Sequence, residues 1–334
     1  MEAEKRRLIA ASRHEQHWRR WGPYLSDRQW GTVREDYSAN GTAWEYFPFE
    51  HSHLRAYRWG EDGIAGICDN HQRLCFAPAF WNGRDPIVKE RFFGLTCNQG
   101  NHGEDVKELY YYLDATPTHS YMKCLYKYPQ AEFPYGRLLE VNRKRTRRDP
   151  EFELIDTGVF DQDRYFDIFI EYAKADANDI LIRISVVNRG PEKAALHVLP
   201  TVWFRNTWSW VKEAQRPSLA KSGSGIAIQD PSLGSYILEC DGAPPLLFTE
   251  NDTNTRALWG FGEARYTKDA FHERVMRNRE DAVNPEQRGT KACAWHRFDL
   301  APGQTQTIRM RLTERSEPTH LIHDFDGIFA ERIA

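Results

Sequence analysis

The chain has 334 residues, of which 40% are hydrophobic and 28% are charged, with a formal net charge of −3. This length and composition fit one large soluble all-β domain or two ordinary domains. The mild acidic balance gives no electrostatic reason to expect nucleic acid or an anionic membrane as a partner. No apolar run approaches the roughly 20 residues that a membrane-spanning helix needs.

Cysteine usage and the amino terminus predict a cytoplasmic protein. The six cysteines form no CxxC pair, and the start MEAEKRRLIAAS lacks the apolar core of a secretion signal. We therefore expect free thiols in a reducing compartment. Cys68, His71 and Cys75 have zinc-like spacing, but separated cysteines in a large core usually act as small hydrophobes. With no nucleotide-binding or nucleophile motif in the sequence either, we predict no metal and no cofactor.

The first half of the chain predicts little regular structure apart from two helices. Residues 4–20 lack glycine and proline and predict a helix that stops at Gly22 and Pro23. From residue 30 to about 135 the aromatic, glycine-punctuated sequence indicates short strands and long loops. Residues 134–150 predict a helix followed by a basic turn.

From residue 152 onward the pattern is typical of β-strands. Alternation is clearest over 180–187, where Ile180, Ile182, Ile184 and Val186 fall on one face. Further strands are predicted over residues 165–172, 195–204, 235–240, 245–249, 295–300 and 305–312. Many strands joined by glycine and proline turns favour a sandwich or barrel over βαβ units.

The last segment, residues 323–334, returns to a helical pattern. Phe325, Ile328, Phe329 and Ile333 follow the spacing of an apolar stripe on one helix face. Such a stripe needs a surface to pack on. Either the helix docks on the sandwich, or it leads into another domain.

Candidate functional residues concentrate in loops that combine acids with aromatic side chains. Glycosidases place two carboxyl groups around the scissile bond. Adjacent acids on one loop cannot straddle a sugar, whereas a pair from different loops, such as Asp62 with Glu104, could. The alternative is that these groups form structural ion pairs. The residues singled out for contact with sugar or with a neighbouring domain are Arg34, Glu35, Asp36, Trp59, Glu61, Asp62, His102, Glu104, Asp105, Trp208 and Trp210.

Five motifs, taken in order, carry a family resemblance. They are W-G-T-V-R-E-D-Y-S at 30–38, Y-R-W-G-E-D-G-I-A-G-I at 57–67, N-H-G-E-D-V-K-E at 101–108, T-P-T-H-S-Y-M-K at 116–123 and F-R-N-T-W-S-W at 204–210. Together they resemble the amino-terminal region of bacterial glucosidases similar to glycoside hydrolase family 63, the family of mannosyl-oligosaccharide glucosidase. The resemblance runs from about residue 5 to the carboxyl end.

The resemblance implies a mainly β fold, a large antiparallel β-supersandwich with a short amino-terminal helix and a carboxyl-terminal linker helix. It divides the chain into a helix and lead-in (1–28), the supersandwich (29–320) and the start of a linker helix (321–334). In the family this linker leads to an (α/α)6 toroid, which holds the catalytic carboxylates and inverts the anomeric centre of an α-glucoside.

The toroid is not encoded in these residues, so the resemblance assigns no catalytic residue to this chain. The expected partners are the missing toroid and, together with it, an α-glucoside or oligosaccharide. Two other classes of function stay open. One is a self-contained carbohydrate-binding module that uses Trp59, Trp208 or Trp210. The other is a mutarotase-like sugar epimerase with His102 as acid and Glu61 or Asp62 as base.

Overall fold

The computed structural model describes residues 2–24, 48–56, 63–95, 98–102, 105–211, 214–315 and 324–334. Within these ranges the chain is mainly β. The strands are β1 (Trp21–Tyr24), β2 (Gly66–Asp69), β3 (Leu74–Trp81), β4 (Gly94–Leu95), β5 (Asp105–Val106), β6 (Leu109–Ala115), β7 (Tyr121–Pro129), β8 (Tyr165–Asp176), β9 (Asp179–Asn188), β10 (Ala194–Phe204), β11 (Ser218–Ser222), β12 (Gly225–Asp230), β13 (Gly234–Cys240), β14 (Leu246–Thr249), β15 (Arg288–Gly289), β16 (Lys291–Ala294), β17 (His296–Leu300) and β18 (Thr305–Thr313).

The α-helices of the described ranges are α1 (Glu2–Ser12), α2 (Tyr135–Lys144), α3 (Thr255–Trp259), α4 (Ala270–Arg277) and α5 (Phe325–Ile333). None of them is long and apolar enough to cross a membrane.

Two large antiparallel sheets form the body of the fold. The first sheet has the strand order β1-β2-β3-β10-β16-β14, with β17 also paired to β10. The second sheet has the order β15-β11-β12-β13-β18-β9-β8-β7-β6. Neighbouring strands run antiparallel throughout both sheets. The predicted fold class, a large antiparallel β-sandwich with a short amino-terminal helix, is confirmed.

Alternation of apolar side chains explains how the sheets pack together. The four predicted inward residues of β9, from Ile180 to Val186, are all 0% exposed. They share one core cluster with inward residues of the first sheet, such as Phe76 and Val202. Because burying each aliphatic or aromatic side chain contributes about 1.5–3 kcal/mol, this core fixes which face of each strand points inward.

The outer faces of the two sheets differ in character. On the second sheet, cross-strand ion pairs face outward, including Arg183 with Glu171 at 2.9 Å and Arg311 with Asp179 at 2.6 Å. On the first sheet, many outward residues are small or apolar, and other parts of the chain cover them. Ala79, Leu199 and Cys293 pack there against Phe271 and Val275 of α4. The first sheet is therefore buried on both faces.

The amino-terminal helix is shorter than predicted. The helix expected over residues 4–20 ends at Ser12, and His14 has a left-handed φ of 56°, which α-helix geometry does not allow. Trp21 belongs to β1, is 0% exposed and lies 5.6 Å from the Tyr236 ring. Placing this indole in the sandwich core outweighs continuing the helix through it.

The T-P-T-H-S-Y-M-K motif fastens both terminal helices to the sandwich. The Glu4 carboxylate of α1 accepts hydrogen bonds from the Thr118 backbone at 2.7 Å and from the Ser120 hydroxyl at 3.1 Å. Phe325 and Phe329 of α5 are each 1% exposed and pack on Tyr121 of the same motif. Of the two alternatives for the last helix, docking on the sandwich is confirmed. Its role as a linker stays a prediction.

One close approach between strands requires glycine. A Cβ at Gly289 of β15 would overlap the carbonyl oxygen of Thr249 and lie 2.8 Å from its carbonyl carbon. Both positions are backbone, so neither can move aside as a flexible side chain would. Gly136 in α2 has open space around it instead.

Candidate functional site: the covered outer face of the first sheet

A buried ion pair lies on the covered face of the first sheet. Lys291, the first residue of β16, points its ammonium at Glu90, with Nζ 2.6 Å from Oε1. The two side chains are only 3% and 8% exposed. Removing two charges from water costs several kcal/mol per ion unless they are paired and hydrogen-bonded. The arrangement therefore depends on the pairing being complete.

The pairing is incomplete on the carboxylate side. Within the described part of the chain, Glu90 Oε2 is buried and has no hydrogen-bond partner. Glu90, Lys291, Thr201 and Trp203 line a space of about 10 Å³, about the room that one water molecule needs. A buried carboxylate oxygen without a donor is a ready acceptor for a water or a hydroxyl group.

Two histidines lie near this pair, and burial disfavours the charged form of each. The rings of His53 and His272 are 5.0 Å apart. Burial lowers the pKa of His53, and it lowers the pKa of His272 well below the usual value. Neutral imidazoles can donate and accept hydrogen bonds, so they add polar character to the face without adding positive charge.

Several predicted residues lie outside the described ranges. They are Arg34, Glu35, Asp36, Trp59, Glu61, Asp62 and Glu104. The second motif nevertheless re-enters the described structure at Gly63, whose N–H donates to the Glu90 carbonyl at 2.7 Å. The first described residue of that motif thus borders the Glu90–Lys291 pair.

The N-H-G-E-D-V-K-E motif is anchored elsewhere, beside the turn that follows α2. His102 Nε2 lies 2.9 Å from the Asp149 carbonyl oxygen, and the Asn101 amide donates to the Thr146 carbonyl at 3.1 Å. His102 is exposed and makes a backbone contact that fixes the loop. The basic turn predicted at the end of residues 134–150 is the surface on which this loop rests.

Asp105 joins an ion cluster centred on Lys107. The Lys107 ammonium lies 2.6 Å from Asp105, 2.5 Å from Glu151 and 2.9 Å from Glu153. Burial opposes the charged ammonium, but the hydrogen bonds that it donates to the three carboxylates prevail and raise the pKa of Lys107. The hydrogen bond from Lys107 lowers the pKa of Glu151 to about 2, whereas burial raises the pKa of Asp105.

The carboxylates of this cluster lie close enough together to bind a cation, since their ligand oxygens are all within 4.8 Å of one another. The side-chain ammonium of Lys107, only 1% exposed, occupies the centre of the group. The cluster is therefore arranged to hold the chain's own cation and to fasten β5 to residues 151–153.

The F-R-N-T-W-S-W motif closes one end of the sandwich. Trp208 is 7% exposed and donates its indole N–H to Asp252 Oδ1 at 2.9 Å. Asn206 donates to the same oxygen at 2.8 Å, and Arg216 donates to Oδ2 at 3.1 Å. Trp208 thus presents little surface to a ligand. Trp210 is 37% exposed and stays accessible.

The four described candidates fall into two separate places. His102 and Asp105 lie beside the turn after α2, and Trp208 and Trp210 lie beyond the end of β10. Within the described ranges, neither a hydrogen bond nor a ring contact joins the two pairs.

Sequence reasoning missed Glu90 and Lys291, which the sheet brings together from positions 201 residues apart. A charged residue opening the apolar strand K-A-C-A was the one available signal. It also missed an exposed aromatic pair, Trp259 and Phe261. Their rings lie 6.0 Å apart with an interplanar angle of 18°, and the residues are 52% and 62% exposed.

Comparisons with known proteins give one long relative. No protein-family model matches the chain. The uncharacterized protein YMR196W of Saccharomyces cerevisiae is 44% identical over 351 residues, which cover 93% of this chain and 32% of the yeast protein. The chain therefore spans about a third of the length of this relative.

Solved structures with some likeness to the chain have low scores. A polysaccharide lyase has a TM-score of 0.33 at 12% identity, covering 77% of this chain and 28% of its own. A putative aldose 1-epimerase of Escherichia coli K12 has a TM-score of 0.28 at 10% identity, and the match covers 61% of this chain and 67% of the epimerase. A putative kojibiose phosphorylase from the human microbiome has a TM-score of 0.28 at 11% identity, and the match covers 81% of this chain and 29% of the phosphorylase. Scores this low assign the chain to none of their families, and the resemblance to family 63 stays a prediction.

Proposed function

We propose that this chain is the sandwich domain of an α-glucosidase-like glycoside hydrolase, in which it supports the sugar pocket and leaves hydrolysis to a second domain. The observation that carries the proposal is the contrast between the two outer faces. One carries cross-strand ion pairs whose carboxylates are fully paired, and the other has a buried carboxylate with an unused oxygen. A face of the second kind is suited to orienting groups beside a binding site.

The size of the space beside Glu90 favours a supporting role over a catalytic one. An inverting glycosidase needs two carboxyl groups about 6.5–9.5 Å apart, with a sugar and a water between them. The space lined by Glu90, Thr201 and Lys291 holds about one water. Glu90 is thus placed to position a neighbouring group, and the pocket itself would be completed by another part of a longer protein.

The length of the yeast relative supports the two-domain plan. Because the match covers 32% of that protein, about two thirds of it lies outside the matched part. This remainder is long enough for the toroid that the five motifs imply. The activity and the substrates of such a whole protein are part of the proposal.

Transplanting the chain into the yeast protein tests the proposal. The chain alone and a chimaera, in which it replaces the matching third of YMR196W, would be assayed with 4-nitrophenyl α-glucoside and with α-linked gluco-oligosaccharides. We expect no turnover by the chain alone and turnover by the chimaera. Robust hydrolysis by the isolated chain would refute the supporting role, and an inactive but folded chimaera alongside an active yeast protein would refute the shared function.

A stand-alone carbohydrate-binding module is the second candidate, and the exposure of Trp210 favours it. Aromatic faces stack on the C–H faces of sugars and lose little entropy when they bind. Calorimetric titration of the isolated chain with gluco- and manno-oligosaccharides separates the two candidates. Saturable binding that is lost in Trp210→Ala but kept in Trp208→Phe would favour the module.

A further inference from the structure

A cavity of about 550 Å³ lies where the end of α1 meets the turn between β2 and β3 and the turn before β13. This volume falls within the range of small-ligand sites, about 300–1,000 Å³. The cavity shares no lining residue with the space beside Glu90. It is therefore a separate feature of the molecule, which the proposed function does not use.

Basic side chains dominate the lining. They are His14, His17, Arg19, Arg20, His71 and Arg73, and together they define what we call the arginine–histidine cavity. Among the described lining residues, Asp69 supplies the one carboxylate. The three arginines and the one aspartate give the lining a formal charge of +2, although the whole chain carries −3.

The Asp69 carboxylate is already in use. Its Oδ1 accepts the backbone N–H groups of Arg73 at 2.6 Å and Leu74 at 2.9 Å, and its Oδ2 accepts that of His71 at 3.0 Å. The residue is 1% exposed. Asp69 therefore holds the β2–β3 turn in shape and directs the side chains of that turn toward the cavity, instead of neutralising the arginines.

Two of the three guanidinium groups, those of Arg19 and Arg73, have no carboxylate partner among the described residues. Within the described ranges, the Arg73 side chain makes no hydrogen bond and no ion pair. Arg19 donates one long bond to the Pro117 carbonyl, at 3.3 Å. Arg20 lies 3.6 Å from Glu314 and 3.4 Å from the Leu233 carbonyl. Like charges gathered around one cavity repel each other, and an anion between them relieves this repulsion.

We propose that the arginine–histidine cavity binds a phosphorylated sugar. The guanidinium fork matches the oxygens of a phosphate monoester, and two or three such forks distinguish a dianion from a neutral ligand. The hydroxyl and amide groups of Ser12, Asn70 and Ser232 complete the lining and suit the hydroxyl groups of a sugar. The proposal extends beyond the proposed function, because the cavity lies apart from the face that function requires.

Calorimetric titration of the intact chain at low ionic strength tests this site. The probes are glucose 6-phosphate, inorganic phosphate and glucose. We expect saturable binding of glucose 6-phosphate, weaker binding of inorganic phosphate and no binding of glucose. Arg73→Gln removes a side chain without a protein partner, so folding should be unchanged while affinity falls about tenfold or more. Arg73→Lys keeps the charge but not the fork and should fall in between.

The matched control is Arg143→Gln, an exposed arginine on α2 that should leave affinity unchanged. Absence of binding by either phosphate would overturn the proposal. Equal affinity for inorganic phosphate and glucose 6-phosphate would overturn its sugar part. Equal effects of the Arg73 and Arg143 substitutions would overturn the location. None of these outcomes depends on glucosidase activity, so the proposal fails or stands apart from the proposed function.

Discussion

Replacing Glu108 with glutamine tests whether a fully buried ion pair holds the N-H-G-E-D-V-K-E loop to the sandwich. Both side chains of the Lys89–Glu108 pair are 0% exposed, and Nζ lies 2.7 Å from Oε1. The carboxylate also accepts the Phe93 N–H at 3.0 Å and the Tyr126 hydroxyl at 3.0 Å. Burial raises the pKa of Glu108, and the ammonium of Lys89 opposes that shift.

The substitution Glu108→Gln keeps the shape but removes the charge that neutralises Lys89. Leaving a buried charge without its partner costs about 3–5 kcal/mol. The Lys89 ammonium lies 3.6 Å from the centroid of the Phe133 ring, and this cation–π contact is worth about 2 kcal/mol because it is desolvated. Because this contact remains in the variant, we expect the free energy of unfolding to fall by about 3 kcal/mol, near the lower end of that range.

Urea unfolding followed by tryptophan fluorescence measures this loss as a shift of the midpoint at unchanged slope. The control is Glu140→Gln, the same substitution at a 2.6 Å ion pair with Lys144 on the surface of α2. There we expect little change, because water replaces the lost partner. The double variant Lys89→Met with Glu108→Gln should lose at least about 1 kcal/mol less stability than the summed losses of the two single variants. Equal midpoints for the Glu108 and Glu140 variants would refute the reasoning.

The remaining predictions concern pH, a terminal helix and a close approach. Burial lowers the pKa of Lys174 to about 7. Above pH 7 the unfolded chain therefore binds more protons than the folded chain, so stability should rise from pH 7 to 8.5 by up to about 1.4 kcal/mol per pH unit. A Lys174→Met variant whose urea midpoint depends on pH in the same way as that of the unmodified chain would contradict this. Phe329→Ala should cost about 3–5 kcal/mol in thermal or urea unfolding, because the side chain is 1% exposed, whereas Ile333→Ala, at 53% exposed, should cost little. Gly289→Ala should strongly destabilise the fold or reduce soluble yield, while Gly136→Ala should be neutral or stabilise α2 by up to about 1 kcal/mol; similar melting temperatures for the two variants would show that the close approach is relaxed.

The strands of the second half were predictable because a local rule decides them. Alternation of apolar residues marks the inner face of β9, and the tight turn over 301–304 closes with the Gln304 N–H donating to the Ala301 carbonyl at 3.0 Å. The strand prediction over 195–204 was right even though it contains Pro200. It lies opposite Pro78 of β3, so the two missing donors coincide at one position of the ladder.

The candidate site was less predictable because its contacts are long-range. Glu90 and Lys291 are brought together because Lys89 forms an antiparallel bridge with Phe80 of β3, two strands from β16 in the first sheet, and no local pattern encodes this pairing. Trp208 and Trp210 look alike in sequence, and Asp252, 44 residues after Trp208, decides which of them is buried. The predicted length of the amino-terminal helix was wrong for a related reason. Trp21 packs in a core that is formed largely by later strands.

Two buried lysine–glutamate pairs in one chain can be told apart by how completely their carboxylates are satisfied. Glu108 accepts from three donors, so its pair is explained by structure. Glu90 leaves one buried oxygen unused, and stability does not require such a pair, because apolar residues of similar volume are often equally good or better. Glu90→Leu combined with Lys291→Met should therefore keep the thermal stability of the chain, while the same change in the chimaera should lower kcat/KM for an α-glucoside at least about tenfold. If that double variant unfolds, or if it keeps full activity in the chimaera, the covered face of the first sheet serves folding alone.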